Sequence, residues 1–165
     1  MKEIAQDNKE STFLGIRLSN FEQSTWSLIS GGITAPNGFK ASGIRAGLKN
    51  SGNKLDLALI LAPQNSLCSG TFTQSLIRAD CIDLCIDRLF KTAGRARAIL
   101  INSGQANACT GKKGLEDSIL ATKAVAEKLG TLESEVLICS TGVIGQPIRM
   151  QNLLNGLDLL INSLS

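Results

Sequence analysis

The chain has 165 residues, with 17 Lys and Arg against 14 Asp and Glu, for a net charge of +3. It contains no histidine and no tyrosine, and aromatics are only 4% of it. Without histidine it cannot by itself supply a Ser-His-Asp or Cys-His catalytic pair, a zincin helix or a Cys/His zinc finger. Acid–base work would fall to hydroxyls, amines, carboxylates, backbone dipoles or a partner chain. The basic residues are scattered and not interleaved with aromatics, which argues against nucleic-acid binding. No apolar run approaches the ~20 residues of a membrane span, and no secretory signal opens the chain. The expected location is the cytoplasm.

The length fits one domain with an aliphatic core. Residues 1–26 read as an N-terminal arm with a short strand around Phe13–Leu18. Residues 27–165 read as the organised domain. It begins with Gly31-Gly32-Ile33-Thr34-Ala35-Pro36-Asn37-Gly38-Phe39, a loop shaped by positive-φ glycines and by Pro36. Asp56–Ala62 is a continuous apolar run closed by Pro63, the pattern of a strand buried on both faces. Ala98–Asn102 and Val136–Ser140 are two further strands. Each runs straight into a glycine loop, Ser103-Gly104 and Thr141-Gly142. Between them Leu115, Ile119, Val125, Ala126 and Leu129 mark a helical stripe. Glu116 and Asp117 are expected in its first turn, Lys128 in its last, and Gly130 as its C-cap. Met150–Leu164 predicts a second amphipathic helix through Leu153, Leu154, Leu157, Leu160 and Ile161. The whole reads as one α/β unit.

The five cysteines at 68, 81, 85, 109 and 139 form no C-x-x-C pair. They read as small buried hydrophobes in a reducing compartment. Cys81 and Cys85 fit one helix face, but the alternation of Ile82, Leu84 and Ile86 with Cys81, Asp83, Cys85 and Asp87 makes a strand at least as good a reading.

Two segments can carry chemistry. Asn102–Gly111 packs small residues, amides and hydroxyls behind a strand, where α/β proteins place their sites. Asn102, Ser103, Gly104 and Asn107 are its candidate active-site residues, and a helix-capping turn is the equal alternative. Ser140–Pro147 offers Thr141 and Gly142, a hydroxyl beside an exposed N–H, which is the donor pair of an oxyanion hole. A tight turn is its alternative. Neither segment matches a phosphate-binding or dinucleotide glycine fingerprint.

At these residues the chain resembles the ornithine acetyltransferase (glutamate N-acetyltransferase) family of arginine biosynthesis. Gly31–Phe39 is similar to the family's opening block. Asn102-Ser103-Gly104-Gln105-Ala106-Asn107-Ala108-Cys109-Thr110-Gly111 is similar to its central motif, with Gln105 where asparagine is usual. Ser140-Thr141-Gly142-Val143-Ile144-Gly145 resembles its oxyanion-hole motif. The resemblance covers roughly residues 27–164. It implies an N-terminal-nucleophile-like α/β layered fold of the DmpA and ornithine acetyltransferase type, incomplete without a second chain. It implies a precursor that cuts itself before a threonine into α and β chains, which stay together as an α2β2 heterotetramer. That threonine, with its own amine as base, would take acetyl from N2-acetylornithine and pass it to glutamate. Some family members also accept acetyl-CoA as a substrate. No cofactor or metal is implied. Thr141 and Gly142 would form the oxyanion hole, and the nucleophile would lie beyond Ser165, because no cleavage block occurs in this chain. The rival readings are a related self-cleaving amide hydrolase or aminopeptidase, and a binding module lacking its catalytic half.

Overall fold

The computed structural model describes residues 12–13, 16–17, 29–50 and 52–165. The chain divides into two units, Met1–Gly32 and Ile33–Ser165. In the first, strands β1 (Thr12–Phe13) and β2 (Ile16–Arg17) pair antiparallel. Where one strand was expected around Phe13–Leu18 there are two short paired strands, and residues 14, 15 and 18 lie outside the described residues.

The second unit is a mixed sheet with helices on one face. Strands β3 (Lys40–Ile44), β4 (Leu57–Leu61), β5 (Ala98–Gln105) and β6 (Val136–Val143) lie in the order β3-β4-β5-β6. β4 is antiparallel to both its neighbours, while β5 and β6 are parallel. The helices are α1 (Asp80–Lys91), α2 (Lys112–Leu129) and α3 (Met150–Asn162). Parallel β5 and β6 need a crossover, and α2 supplies it. Leu57, Leu59, Leu100, Val136 and Ile138 meet Val125, Leu153, Leu157 and Leu160 in the dry core.

Four expectations need correction. Cys81–Asp87 is helical: Cys81, Leu84, Cys85 and Arg88 are the buried face of α1, a spacing of three and four residues. Acidic Asp80 and Asp83 begin that helix and basic Arg88 and Lys91 end it, which complements its dipole. The Asp56–Ala62 run is not buried on both faces, since Ala58 and Ile60 point away from the helices and stay half-exposed. The α2 helix starts at Lys112, so no acidic residue lies in its first turn. Its buried face is Gly114, Asp117, Ser118, Ala121, Thr122, Val125 and Ala126, and both Leu115 and Ile119 are 37% exposed. Small residues face inward there because α2 is packed against both α1 and α3. The Gly130 C-cap is found as expected, in left-handed geometry at φ 63°. Lastly, Ser103-Gly104 and Thr141-Gly142 are not loops but the final residues of β5 and β6.

Candidate active site

The two motif segments lie side by side. The β5–β6 register pairs Asn102 with Ser140, Ser103 with Thr141, Gly104 with Gly142 and Gln105 with Val143. They form the carboxyl ends of two adjacent parallel strands, the position where open α/β sheets bind ligands. A Cβ on Gly142 would lie 2.2 Å from the Gly104 carbonyl carbon, and one on Gly104 would lie 2.8 Å from the Leu48 carbonyl oxygen. Their φ values are +134° and +148°. Only glycine fits either place.

The orientation of Gly142 follows from the alternation of the strand. Glu135 and Val143 turn their carbonyls towards β5, accepting from Arg97 N–H at 2.7 Å and Ala106 N–H at 2.9 Å. Residues of opposite parity turn outwards, to the free edge of β6. Helix α1 covers that edge. Arg88 Nη1 donates to the Val136 carbonyl. Cys85 Sγ donates to the Ile138 carbonyl at 3.3 Å and accepts from the Ile138 N–H at 3.4 Å. Cys81 lies beside Ser140. Gly142 is next in this series, and α1 has already begun at Asp80. Its N–H therefore points to an edge that α1 leaves uncovered. Gly142 and Thr141 are both exposed.

Buried polar groups fix this arrangement. Asn102 is fully buried; its Nδ2 donates to the Gln105 carbonyl at 3.0 Å and its Oδ1 accepts from Ser140 Oγ at 2.6 Å. Gln105 Nε2 donates to the Leu48 carbonyl at 2.8 Å. Asn107 adopts φ 52°, donates through Nδ2 to the Gly114 carbonyl and Ser118 Oγ, and accepts from Thr110 Oγ1. Both Asn102 and Asn107 thus spend their side chains on internal bonds, and Asn107 ties the loop to α2. Ser103 stands beside Thr141 on the half-open sheet face, while Asn102 faces the helices.

Sequence reading missed Asp56. Its buried carboxylate accepts from the N–H groups of Ala46 at 2.7 Å, Leu48 at 2.7 Å and Lys49 at 3.0 Å, and its carbonyl accepts from Ser103 N–H at 2.8 Å. One residue thus holds both the Ala46–Lys49 turn and β5. The available signal was a charge at the head of an apolar strand. Also missed was a cleft of about 320 Å³ lined by Leu48, Lys49, Gln105, Gly142, Gln146 and Arg149 among others. Burial pushes the Cys81 and Cys85 thiols above their ordinary pKa, so they stay protonated and poorly nucleophilic at neutral pH, whereas Cys109 and Cys139 are exposed and not the buried hydrophobes expected of all five cysteines. Among the described residues no His/Cys/Asp/Glu group is placed to hold a metal. No helix among them is long and apolar enough to cross a membrane.

The chain is 66% identical over 148 residues to an arginine biosynthesis bifunctional protein ArgJ of Prochlorococcus marinus, covering 90% of this chain and 36% of that protein. It is 50% identical over 140 residues to the Synechocystis protein of the same name, covering 85% and 33%. It therefore spans about a third of the length of these curated relatives. A crystal structure of ornithine acetyltransferase from Mycobacterium tuberculosis, complexed with ornithine, superposes with a TM-score of 0.77 at 38% identity, covering 84% of this chain and 73% of that one. The ArgJ structure from Bacillus halodurans gives a TM-score of 0.70 at 34% identity, covering 77% and 65%. The ArgJ family model matches residues 40–165. The Gly31–Phe39 block precedes that span, whereas the β5 and β6 motifs both fall inside it. The chain belongs to the ArgJ family.

Proposed function

We propose that the chain is the α-chain part of a self-cleaving threonine acetyltransferase, which moves acetyl from N2-acetylornithine to glutamate. Thr141 and Gly142 supply the oxyanion hole, and the nucleophilic threonine belongs to the β chain. The observation that carries this reading is the Gly142 N–H turned to an uncovered strand edge, beside an exposed Thr141. The threonine oxygen attacks the acetyl carbonyl carbon, and the carbonyl electron pair moves onto oxygen. Fixed donors then meet that charge as it develops. Collapse breaks the C–N bond, and the threonine proton leaves with ornithine's amine. Glutamate's amine attacks the resulting ester in the reverse sense. The threonine's own amine serves as the base, so no histidine is needed.

A β-chain partner is supported by the sheet. Its face opposite the helices carries Ala58, Ile60, Ile99, Ile101, Cys139 and Thr141, none of them fully buried. A further layer on that face would approach Thr141 directly. Chain lengths agree: this chain spans about a third of the full-length relatives but 73% of the crystallised acetyltransferase chain, which is thus about half of a full-length protein. An α2β2 assembly, a cytoplasmic location, no cofactor, and acetyl-CoA as a further donor belong to the same reading. So does inactivity of the isolated chain, which lacks the nucleophile.

The test is Thr141→Ala in the complete, processed protein. It should lower kcat about 10²–10³-fold with little change in KM. Thr141→Ser keeps the hydroxyl and should retain most of the rate. Transfer by processed Thr141→Ala at near the parent rate would overturn the assignment.

A further inference from the structure

We infer that Asn102 and Ser140 are positioning residues: the bond between their side chains holds the ends of β5 and β6 so that Thr141 and Gly142 meet the oxyanion together. The inference rests on the acetyl-transfer reading and names the groups that hold its two donors in place. Ser140 immediately precedes Thr141 and lies opposite Asn102 in the β5–β6 ladder. Its Oγ donates to Asn102 Oδ1 at 2.6 Å, and Asn102 Nδ2 donates to the Gln105 carbonyl at 3.0 Å. One side chain thus ties β6 just before the donor pair to β5 just beyond Gly104. Gly104 is the residue that Gly142 meets across the ladder.

Two glycines make this the softest part of the ladder. Gly104 and Gly142 have no side chains to pack, and their φ values of +148° and +134° are open to few other residues. The outer edge of β6 loses its cover at the same point, because α1 begins at Asp80 and Cys81 reaches only Ser140. An oxyanion hole nevertheless works through donors fixed before the charge develops. The buried Asn102–Ser140 pair supplies that rigidity. Asn102 has no exposed surface, so breaking either of its bonds leaves a buried polar group without a partner. The pair is also directional. Asparagine offers an acceptor to one strand and a donor to the other, whereas aspartate in its place would turn a charged acceptor on the Gln105 carbonyl. Side chains alternate along β6, so Ser140 faces the helices with Asn102 while Thr141 faces the open side. The two residues therefore act through Thr141 and Gly142, from behind the reacting groups.

The experiment uses the complete, processed two-chain protein. Ser140→Ala should lower kcat about tenfold, with KM for N2-acetylornithine within about twofold of the parent. Ser140→Thr keeps the hydroxyl and should bring kcat back to within about threefold of the parent. In a Thr141→Ala background the same Ser140→Ala change should cost less than about threefold, because one of the donors it aims is already gone. A merely structural residue would cost the same in both backgrounds. Amide hydrogen exchange adds a readout free of turnover. Ala106 N–H, which donates to the Val143 carbonyl beyond the pair, should exchange at least about tenfold faster in Ser140→Ala, relative to Leu100 N–H in the middle of β5. A kcat within twofold of the parent in folded Ser140→Ala would overturn the inference. So would equal cost in the two backgrounds, or exchange at Ala106 that rises no more than at Leu100. Absence of transfer in the parent protein would instead overturn the underlying acetyltransferase reading, and the exchange rates would still decide whether the pair holds the strand ends.

Discussion

Gly142 lies opposite Gly104 in the β5–β6 ladder, so close that a Cβ on Gly142 would stand 2.2 Å from the Gly104 carbonyl carbon and 2.3 Å from its oxygen. Backbone atoms cannot swing aside as the end of a side chain can. Gly142→Ala must therefore push the strands apart as well as bear φ +134°. Overpacking and strain together should cost about 3 kcal/mol or more. Gly145 is a suitable contrast, with φ +77° but open space at its Cβ position. Gly145→Ala should cost only about 1 kcal/mol. Urea unfolding of the complete protein measures both, and equal midpoints for the two variants would show that the strands do not meet this closely.

Much of this site was legible in the chain, but its geometry was not. The β5 and β6 motifs each stood out because small and hydroxyl residues directly follow an apolar run. Their pairing in register is a tertiary fact that neither segment encodes alone. The strand extension through Gly104 and Gly142 was hidden for the same reason, since glycine ordinarily punctuates a strand. Cys81–Asp87 misled because period-two alternation and helical spacing coexist there, and packing against β6 decided between them. For α2 the apolar stripe pointed the wrong way: Ser118 and Thr122 are buried through bonds to their own helix carbonyls at 3.0 and 2.8 Å. The contacts of Asp56 and the cleft left no motif, because segments far apart in sequence make them.

Asp56 should be the most sensitive polar residue outside the motifs. Its carboxylate accepts three backbone N–H bonds in a buried place. Asp56→Ala strands those donors and should cost about 3–5 kcal/mol. Asp56→Asn keeps one oxygen and should cost less. The Ala46–Lys49 turn contacts Gly104 and Gln105 through Leu48, so loosening it disturbs the site as well. Asp56→Asn should therefore lower kcat more than a surface substitution of equal stability cost, such as one in α3. Equal kcat for the two would reduce Asp56 to a purely structural residue.

The buried thiols predict an alkaline loss of stability. Burial raises the pKa of Cys81 and Cys85 in the folded chain. Between the unfolded and folded values, the unfolded state has released a proton that the folded state keeps. Stability is thus fully present below the ordinary thiol pKa of about 8.5 and falls as pH rises beyond it, by up to about 1.4 kcal/mol per pH unit per thiol. Urea midpoints measured from pH 7 to 10 should decline above that point, and Cys85→Ala should flatten the decline. The same protonation makes these thiols slow to alkylate. Exposed Cys109 should react with iodoacetamide first, and its modification or replacement by Ala should leave acetyl transfer largely intact, because the proposed nucleophile is a threonine. Abolished transfer in a folded Cys109→Ala protein would revive a cysteine mechanism.

The open sheet face gives the last prediction. Ile60, Ile99 and Ile101 lie half-buried on the side away from the helices, and Phe39, Leu67 and Ile99 line a cavity of about 270 Å³ on the same side. A contiguous apolar face of this kind is an interaction surface, and left uncovered it promotes association. The isolated chain should therefore elute as oligomers or aggregate, while the same residues within the complete protein should be protected. Ile101→Lys separates packing from folding, because its neighbours across the ladder are Ala58 and Cys139 and not the helix-facing core. In the isolated chain it should reduce association. In the complete protein it should bury an unpaired ammonium and weaken α–β pairing, seen as loss of the second chain on purification through a tag on the first. A monodisperse isolated chain, or an Ile101→Lys protein whose two chains remain together, would show that this face is not where the second chain sits.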